Sequence, residues 1–154
     1  MKRFILLLVM IVAICGSAEA QKGMSGIGLN AALVNELGIG VGVKYQYNVT
    51  NYVRIEPSFS FYNKDRDRNT SLEMAGLLNT NIFFCSPRAF RPYIIAGIGY
   101  WKESQNHMGL TPGLGIDYRV THDFSIQVEG GALLGINAEK SNYVRLNLGA
   151  CYNF

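Results

Sequence analysis

The feature that most constrains this chain is a side-chain period of two that runs from Gln21 to its last residue. In the final segment Val144, Leu146, Leu148, Ala150, Tyr152 and Phe154 fall on one face. Tyr143, Arg145, Asn147, Gly149, Cys151 and Asn153 fall on the other. A helix groups residues three and four apart; only an extended strand sorts odd positions from even ones. The same sorting recurs over Met24–Leu33, Gly38–Val49, Val53–Tyr62, Leu72–Phe84, Tyr93–Lys102, Leu110–Val120 and Phe124–Ile136. That predicts eight strands of about ten residues, the length a tilted strand needs to cross a bilayer.

Composition narrows the class. The 154 residues are 49% hydrophobic and only 16% charged, whereas an ordinary soluble domain is about a quarter charged. Disorder is excluded by the apolar content. The 17 glycines and 9 tyrosines argue against a helical bundle. No uninterrupted run of about 18 apolar residues is present to form a spanning helix. A net charge of +3 gives no argument for nucleic acid.

The first twenty residues read as an export signal. Lys2 and Arg3 precede an apolar run from Phe4 to Ile14, and Ala18-Glu19-Ala20 supplies a small-x-small cleavage site. This predicts a signal peptide at residues 1–20 and one mature domain at 21–154. A lipoprotein site at Cys15 fits less well, because Ile14 is bulky for the position before a lipidated cysteine. Cys85 and Cys151 remain after cleavage. A disulfide is chemically permitted outside the cytoplasm, but two cysteines without nearby histidines do not make a metal site.

Three observations decide which face is outside. The first is charge. The polar faces carry Lys44, Arg54, Arg119 and Arg145 with Glu56, Glu73, Asp117 and Glu129, and the apolar faces carry none before Lys102, the last residue of its segment. Balanced signs and a preference for arginine suit an enclosed interior where charges neutralise one another. The second is glycine. Gly26, Gly28, Gly40, Gly42, Gly97, Gly99, Gly113, Gly115 and Gly131 lie on the polar faces. Glycine weakens a solvated strand, but a narrow lumen needs small residues beside large ones. None of these pairs opens a helix, so they are not a nucleotide loop. The third is aromatic position. Tyr45, Tyr47, Phe84, Tyr118, Phe124, Tyr152 and Phe154 cluster at one set of strand ends; Phe59, Phe61 and Tyr100 cluster at the other. Two such girdles mark the two interfaces of a membrane. The expected fold is all-β, an eight-stranded antiparallel up-and-down transmembrane barrel with its apolar face outward.

The connections alternate. Val34–Leu37, Asn63–Thr70, Glu103–Met108 and Asn137–Asn142 are expected as outer loops. Thr50–Asn51, Cys85–Arg91 and Thr121–Asp123 are expected as inner turns. Pro57 and Pro112 fall inside strands and predict bulges or rim positions. Cys85 and Cys151 are expected about half a barrel apart, hence free.

The closing residues Asn147-Leu-Gly-Ala-Cys-Tyr-Asn-Phe154 resemble the C-terminal assembly signal of bacterial outer-membrane barrels. Asn147, Gly149, Tyr152 and Phe154 carry the pattern. Segments Arg91–Tyr100 and Gly113–Glu129 look like strand-turn units of the OmpA/OmpX-like "porin family". The resemblance covers the mature chain. It implies an integral outer-membrane location, contact with outer-membrane lipid, handling by the barrel assembly machinery, a monomer, and no cofactor. Neither the spacing nor the resemblance supplies a catalytic or metal-binding residue.

Four functional classes follow. The favoured one is a small barrel with a packed, salt-bridged interior and a structural or surface-interaction role, since eight strands enclose no open channel. A surface adhesin would use the charged stretch from Asn63 to Thr70. A lipid-modifying enzyme would rest on His107 with Ser104, with Asp65 or Asp67, and is the weaker case because a loop histidine is usually only solvated. His122 lies on the opposite side. A soluble lipocalin-like carrier would need the apolar faces turned inward.

Overall fold

The computed structural model describes residues 22–35, 38–66, 69–84, 89–102, 106–136 and 142–154. The expected leader at 1–20 and Cys85 lie outside them. The strands are Ser25–Val34 (β1), Gly38–Asn48 (β2), Val53–Arg66 (β3), Asn69–Phe83 (β4), Phe90–Lys102 (β5), Asn106–Leu110 (β6), Gly113–Arg119 (β7), Phe124–Gly135 (β8) and Asn142–Asn153 (β9). Each pairs antiparallel with its neighbours, and β1 pairs with β9, so the sheet closes. At the seam Ser25 and Phe154 exchange both backbone hydrogen bonds, at 3.0 and 2.8 Å.

Segments β6 and β7 are two halves of one wall. Leu110 opposite Ile98 and Gly113 opposite Ile95 keep the same register on β5. Gly109 opposite Gly135 and Gly113 opposite Gly131 keep it on β8. The ring therefore has eight walls, as the alternation predicts.

Its stagger follows from the pairings. Gly99 pairs with Leu77, and the level continues through Ser58, Lys44, Gly28, Cys151, Ser125 and Arg119. The Arg119 N–H then donates to the Ala89 carbonyl at 2.7 Å. One circuit thus returns to the starting wall ten residues lower, from 99 to 89. Such a stagger tilts the strands, by roughly 35–45° in barrels of this kind.

Two expectations are corrected. Neither proline makes a bulge or sits at a rim. The pairs Lys44–Ser58 and Tyr47–Ile55 hold one register across Pro57, and Pro57 itself stands opposite Leu78. Only the β2 ladder lapses there, because proline has no N–H to donate. At Pro112 the neighbouring Thr111 N–H donates to Gly97 O at 2.9 Å, and Pro112 O accepts from Ala132 N–H at 2.9 Å. The wall continues without an inserted residue.

The second correction concerns the loops. Lys64–Ser71, Asp65–Thr70 and Arg66–Asn69 are ladder pairs, so the expected Asn63–Thr70 loop is mostly strand. The β2 pairing stops at Ile39–Asn63 and the β5 pairing at Met74–Lys102. A two-stranded ribbon therefore rises past its neighbours. The expected Glu103–Met108 loop is likewise shortened, since β6 begins at Asn106. At the other end β5 begins at Phe90, so the Cys85–Arg91 turn gives up its last two residues to the wall.

Burial inverts that of a soluble protein. Leu29 is 69% exposed and Leu114 64%, while Gln46 and Asp117 are fully covered. Soluble monomers rarely expose continuous apolar surface beyond a few hundred Å². The aromatic residues named above stand on the outer face at their expected ends. Phe59 and Phe61 pack edge to face at 4.8 Å between centroids.

Inward glycines form slots for large side chains on the next wall. A Cβ on Gly40 would run into the Tyr62 ring, 2.7 Å from its Cε1, and stand 2.8 Å from the Phe61 carbonyl oxygen. One on Gly115 would stand 2.7 Å from the Tyr93 hydroxyl. Gly76 faces outward, and there a Cβ would meet only Phe59, at 3.9 Å. Gly40→Ala and Gly115→Ala should each lose about 1–3 kcal/mol to overpacking. Gly76→Ala should change stability little. Urea titration of the protein folded into liposomes checks all three.

Candidate functional site in the barrel interior

The inward positions of every wall converge on one hydrogen-bonded cluster. At mid-height Lys44 Nζ lies 3.2 Å from Glu129 Oε1 and 3.6 Å from Glu56 Oε1. It has room because the facing residue is Gly149, where a Cβ would sit 2.9 Å from Lys44 Cε. Glu129 also accepts from the Tyr93 hydroxyl and from Asn147 Nδ2, each at 2.8 Å. Arg145 Nη2 stands 3.8 Å from its second oxygen. Asn30 extends the cluster to β1, donating to Asn147 at 3.1 Å and Ser60 at 3.3 Å.

Glutamine links this layer to the next. Gln46 Nε2 donates to Glu56 at 2.7 Å and to Gln127 at 2.9 Å. Asn81 also donates to Glu56, at 3.3 Å. Gln127 Nε2 in turn donates to Asp117 Oδ2 at 3.3 Å. That oxygen accepts two guanidinium groups, Arg54 at 2.8 Å and Arg91 at 2.6 Å. Both lie over the Phe83 ring, 4.8 and 4.6 Å from its centroid, where the ring face attracts cations. Arg54 Nε also donates to Asn48 at 3.0 Å.

Above the charged layers, toward the long-ribbon end, the lumen turns apolar. Tyr62, Leu77, Trp101, Leu133 and Tyr143 pack there with Ala32, Val34 and Ala75. Trp101 is 1% exposed and Leu133 fully buried.

Of the eight residues predicted to share the interior, six meet in one network: Lys44, Arg54, Glu56, Asp117, Glu129 and Arg145. Glu73 and Arg119 face inward near opposite ends of the lumen and have interactions of their own. The prediction omitted Arg91, which the expected inner turn had claimed. Its phase was the available signal: Arg91 is two residues before the inward Tyr93. The apolar lid was also missed. Trp101 keeps the Tyr93 phase, and Leu133 keeps the Glu129 phase.

Among the described residues the candidates for chemistry form no group. His107 faces inward and stacks on Trp101 at 6.3 Å and 22°. Ser104 lies outside the described residues. His122 is exposed in the turn beside the end of β9, 2.8 Å from Asp123. Among the described residues no group of His, Cys, Asp and Glu is placed to hold a metal. Cys151 is buried and free, with Sγ 3.8 Å from Gln127. The predicted assembly-signal residues divide between the faces. Asn147 and Gly149 turn inward, and Tyr152 and Phe154 turn outward.

A closed ring with charged residues inside, apolar residues outside and aromatic girdles at both ends defines an integral outer-membrane β-barrel. The chain belongs to the outer membrane protein beta-barrel domain family, whose model matches residues 4–154. Solved structures agree on the fold. The N-terminal β-barrel domain of Pseudomonas aeruginosa OprF is similar with a TM-score of 0.71 and 20% identity, over 88% of this chain and 100% of that one. Ail, the attachment invasion locus protein of Yersinia pestis, is similar with a TM-score of 0.61 and 19% identity, over 87% and 100%. Neisserial surface protein A gives a TM-score of 0.65 and 15% identity, over 88% and 99%. No curated protein sequence matches this chain significantly.

The Asp117 cluster gives a direct test. Asp117→Asn removes the carboxylate that Arg54 and Arg91 share. Breaking a buried pair in this way costs about 3–5 kcal/mol. Arg145→Gln, at the longest of these contacts, should cost less than that, because Lys44, Tyr93 and Asn147 still hold Glu129. Equilibrium unfolding in liposomes measures both.

Proposed function

We propose that this protein is a closed outer-membrane barrel, exported by its N-terminal leader, whose interior bars bulk diffusion and whose role is structural or interactive. One observation carries the reading. At mid-lumen Lys44, Gln46, Glu56, Gln127 and Glu129 are all 2% exposed or less. A path open to water would leave such side chains accessible. The apolar lid above them would resist ions further, because an unpaired charge is costly to desolvate. Nothing among the described residues favours catalysis, since they bring no nucleophile, base and orienting acid together. The C-terminal pattern supports recognition by the barrel assembly machinery. Phe154 is exposed on the lipid face while its backbone closes the ring.

A second reading has one observation in its favour. The β3–β4 ribbon runs on through residues 64–66 beyond its pairings with β2 and β5, and its sequence there, Lys64-Asp65-Arg66, is charged. Ail is an attachment protein by name and has been solved with the heparin analogue sucrose octasulfate. Surface attachment through the ribbon is the corresponding possibility for this chain.

Planar-bilayer recording separates the readings from a pore. The refolded protein should give no large, steady conductance. Sustained open-channel current would contradict the closed interior. Cell or matrix binding that disappears when residues 64–70 are replaced by a two-residue turn, with the barrel still folded, would favour attachment.

A further inference from the structure

The lipid-facing wall is not uniform. At Gly76 the outer face lacks a side chain, and a groove of about 370 Å³ opens between β4, β5, β6 and the end of β8. Gly76, Leu78, Ile98, Tyr100, Met108 and Ile136 line it, and the lining is almost wholly apolar. A methylene chain fits such a trough better than a flat wall, because dispersion contacts then form on several sides.

The groove's height in the membrane is readable from β5. Phe90 and Tyr100 are its exposed aromatics, ten residues apart near the two ends of the wall. Along a tilted strand that separation matches an apolar band of about 25 Å between girdles. The groove adjoins Tyr100, so it lies just inside the ribbon-end interface. In barrels of this family type short turns face the periplasm and the longer connections face outside, which makes this the outer leaflet.

Directly above it stands a cation. Lys102 is exposed, continues the outward face of β5 beyond Tyr100, and pairs across strands with Met74 and Asn106. Asn106 is exposed beside it. Lys102 forms no ion pair among the described residues. An ammonium and an amide side by side at headgroup height suit a phosphate. The inward charges, by contrast, are already engaged with one another.

We propose that the Gly76 groove and the Lys102–Asn106 pair form one binding site for a phosphorylated glycolipid of the outer leaflet, with an acyl chain in the groove and a phosphate at the lysine. This rests on the outer-membrane placement and not on the closed interior. A conducting barrel could still bind the lipid, and a closed one could fail to.

The test uses the full mature barrel in bilayers of phosphatidylcholine containing diphosphoryl lipid A or, separately, phosphatidylglycerol. Native mass spectrometry then counts lipids retained after detergent stripping. Wild type should keep one lipid A. Lys102→Gln should reduce retention about fivefold, the worth of one interfacial cation. Gly76→Leu, which fills the groove, should reduce it at least as much. Ala31→Leu, on the opposite wall, should leave it unchanged. Heat-modifiable gel migration shows that each variant is folded; if Gly76→Leu is not, Lys102→Gln and lipid A lacking its phosphates decide. Equal retention in wild type and Lys102→Gln would overturn the proposal. So would indifference to the phosphates, no retained lipid A, or preferential retention of phosphatidylglycerol.

Discussion

The structure depends on one constraint: backbone N–H and C=O groups in hydrocarbon must all be paired within the protein. A sheet can meet it only by closing. Closure forces β1 against β9, which brings Ser25 and Phe154 together across 129 positions of chain. It also fixes the stagger, since a ring cannot slip one wall without slipping all of them. The prolines show how strongly the constraint acts. Both lose a donor, yet the register on either side of each is unchanged.

The interior follows from the ring. Eight walls leave space for side chains and little else, so each large inward residue needs a small one beside it. Gly40 yields to Tyr62, Gly115 to Tyr93 and Gly149 to Lys44. The charges are subject to the same geometry. A buried ion pair adds little net stability against an apolar core of equal volume, because desolvation offsets attraction. Its loss on one side is expensive, however. The Asp117–Arg54–Arg91 cluster therefore makes the loss of one partner costly without making the intact barrel more stable than an apolar core would.

Much of this was legible in the sequence, because period two survives both burial schemes. The faces, the absence of charge from the outer surface between the girdles, the girdles themselves and the glycine slots all follow from counting odd and even positions. What was not legible has physical reasons. The ends of strands are set by pairing with neighbours, so β3 and β4 run on to Arg66 and Asn69 through residues that look like a polar loop. A proline's effect depends on which neighbour its missing N–H would have faced, which register alone decides. Arg91 was lost because Pro92 and the preceding polar residues read as a turn. The apolar lid was lost because an inward Trp101 or Leu133 looks no different in sequence from a lipid-facing one unless its phase is followed strictly.

Closure, lumen and girdles all require that the apolar face turn outward. The most direct test is a nitroxide scan along β2, one label per position from Gly38 to Asn48, in a cysteine-free background reconstituted in lipid bilayers. Collision with oxygen, which concentrates in hydrocarbon, should peak at positions 39, 41, 43, 45 and 47 and fall at 40, 44, 46 and 48. An inverted or absent alternation, with the odd positions shielded from lipid, would contradict it.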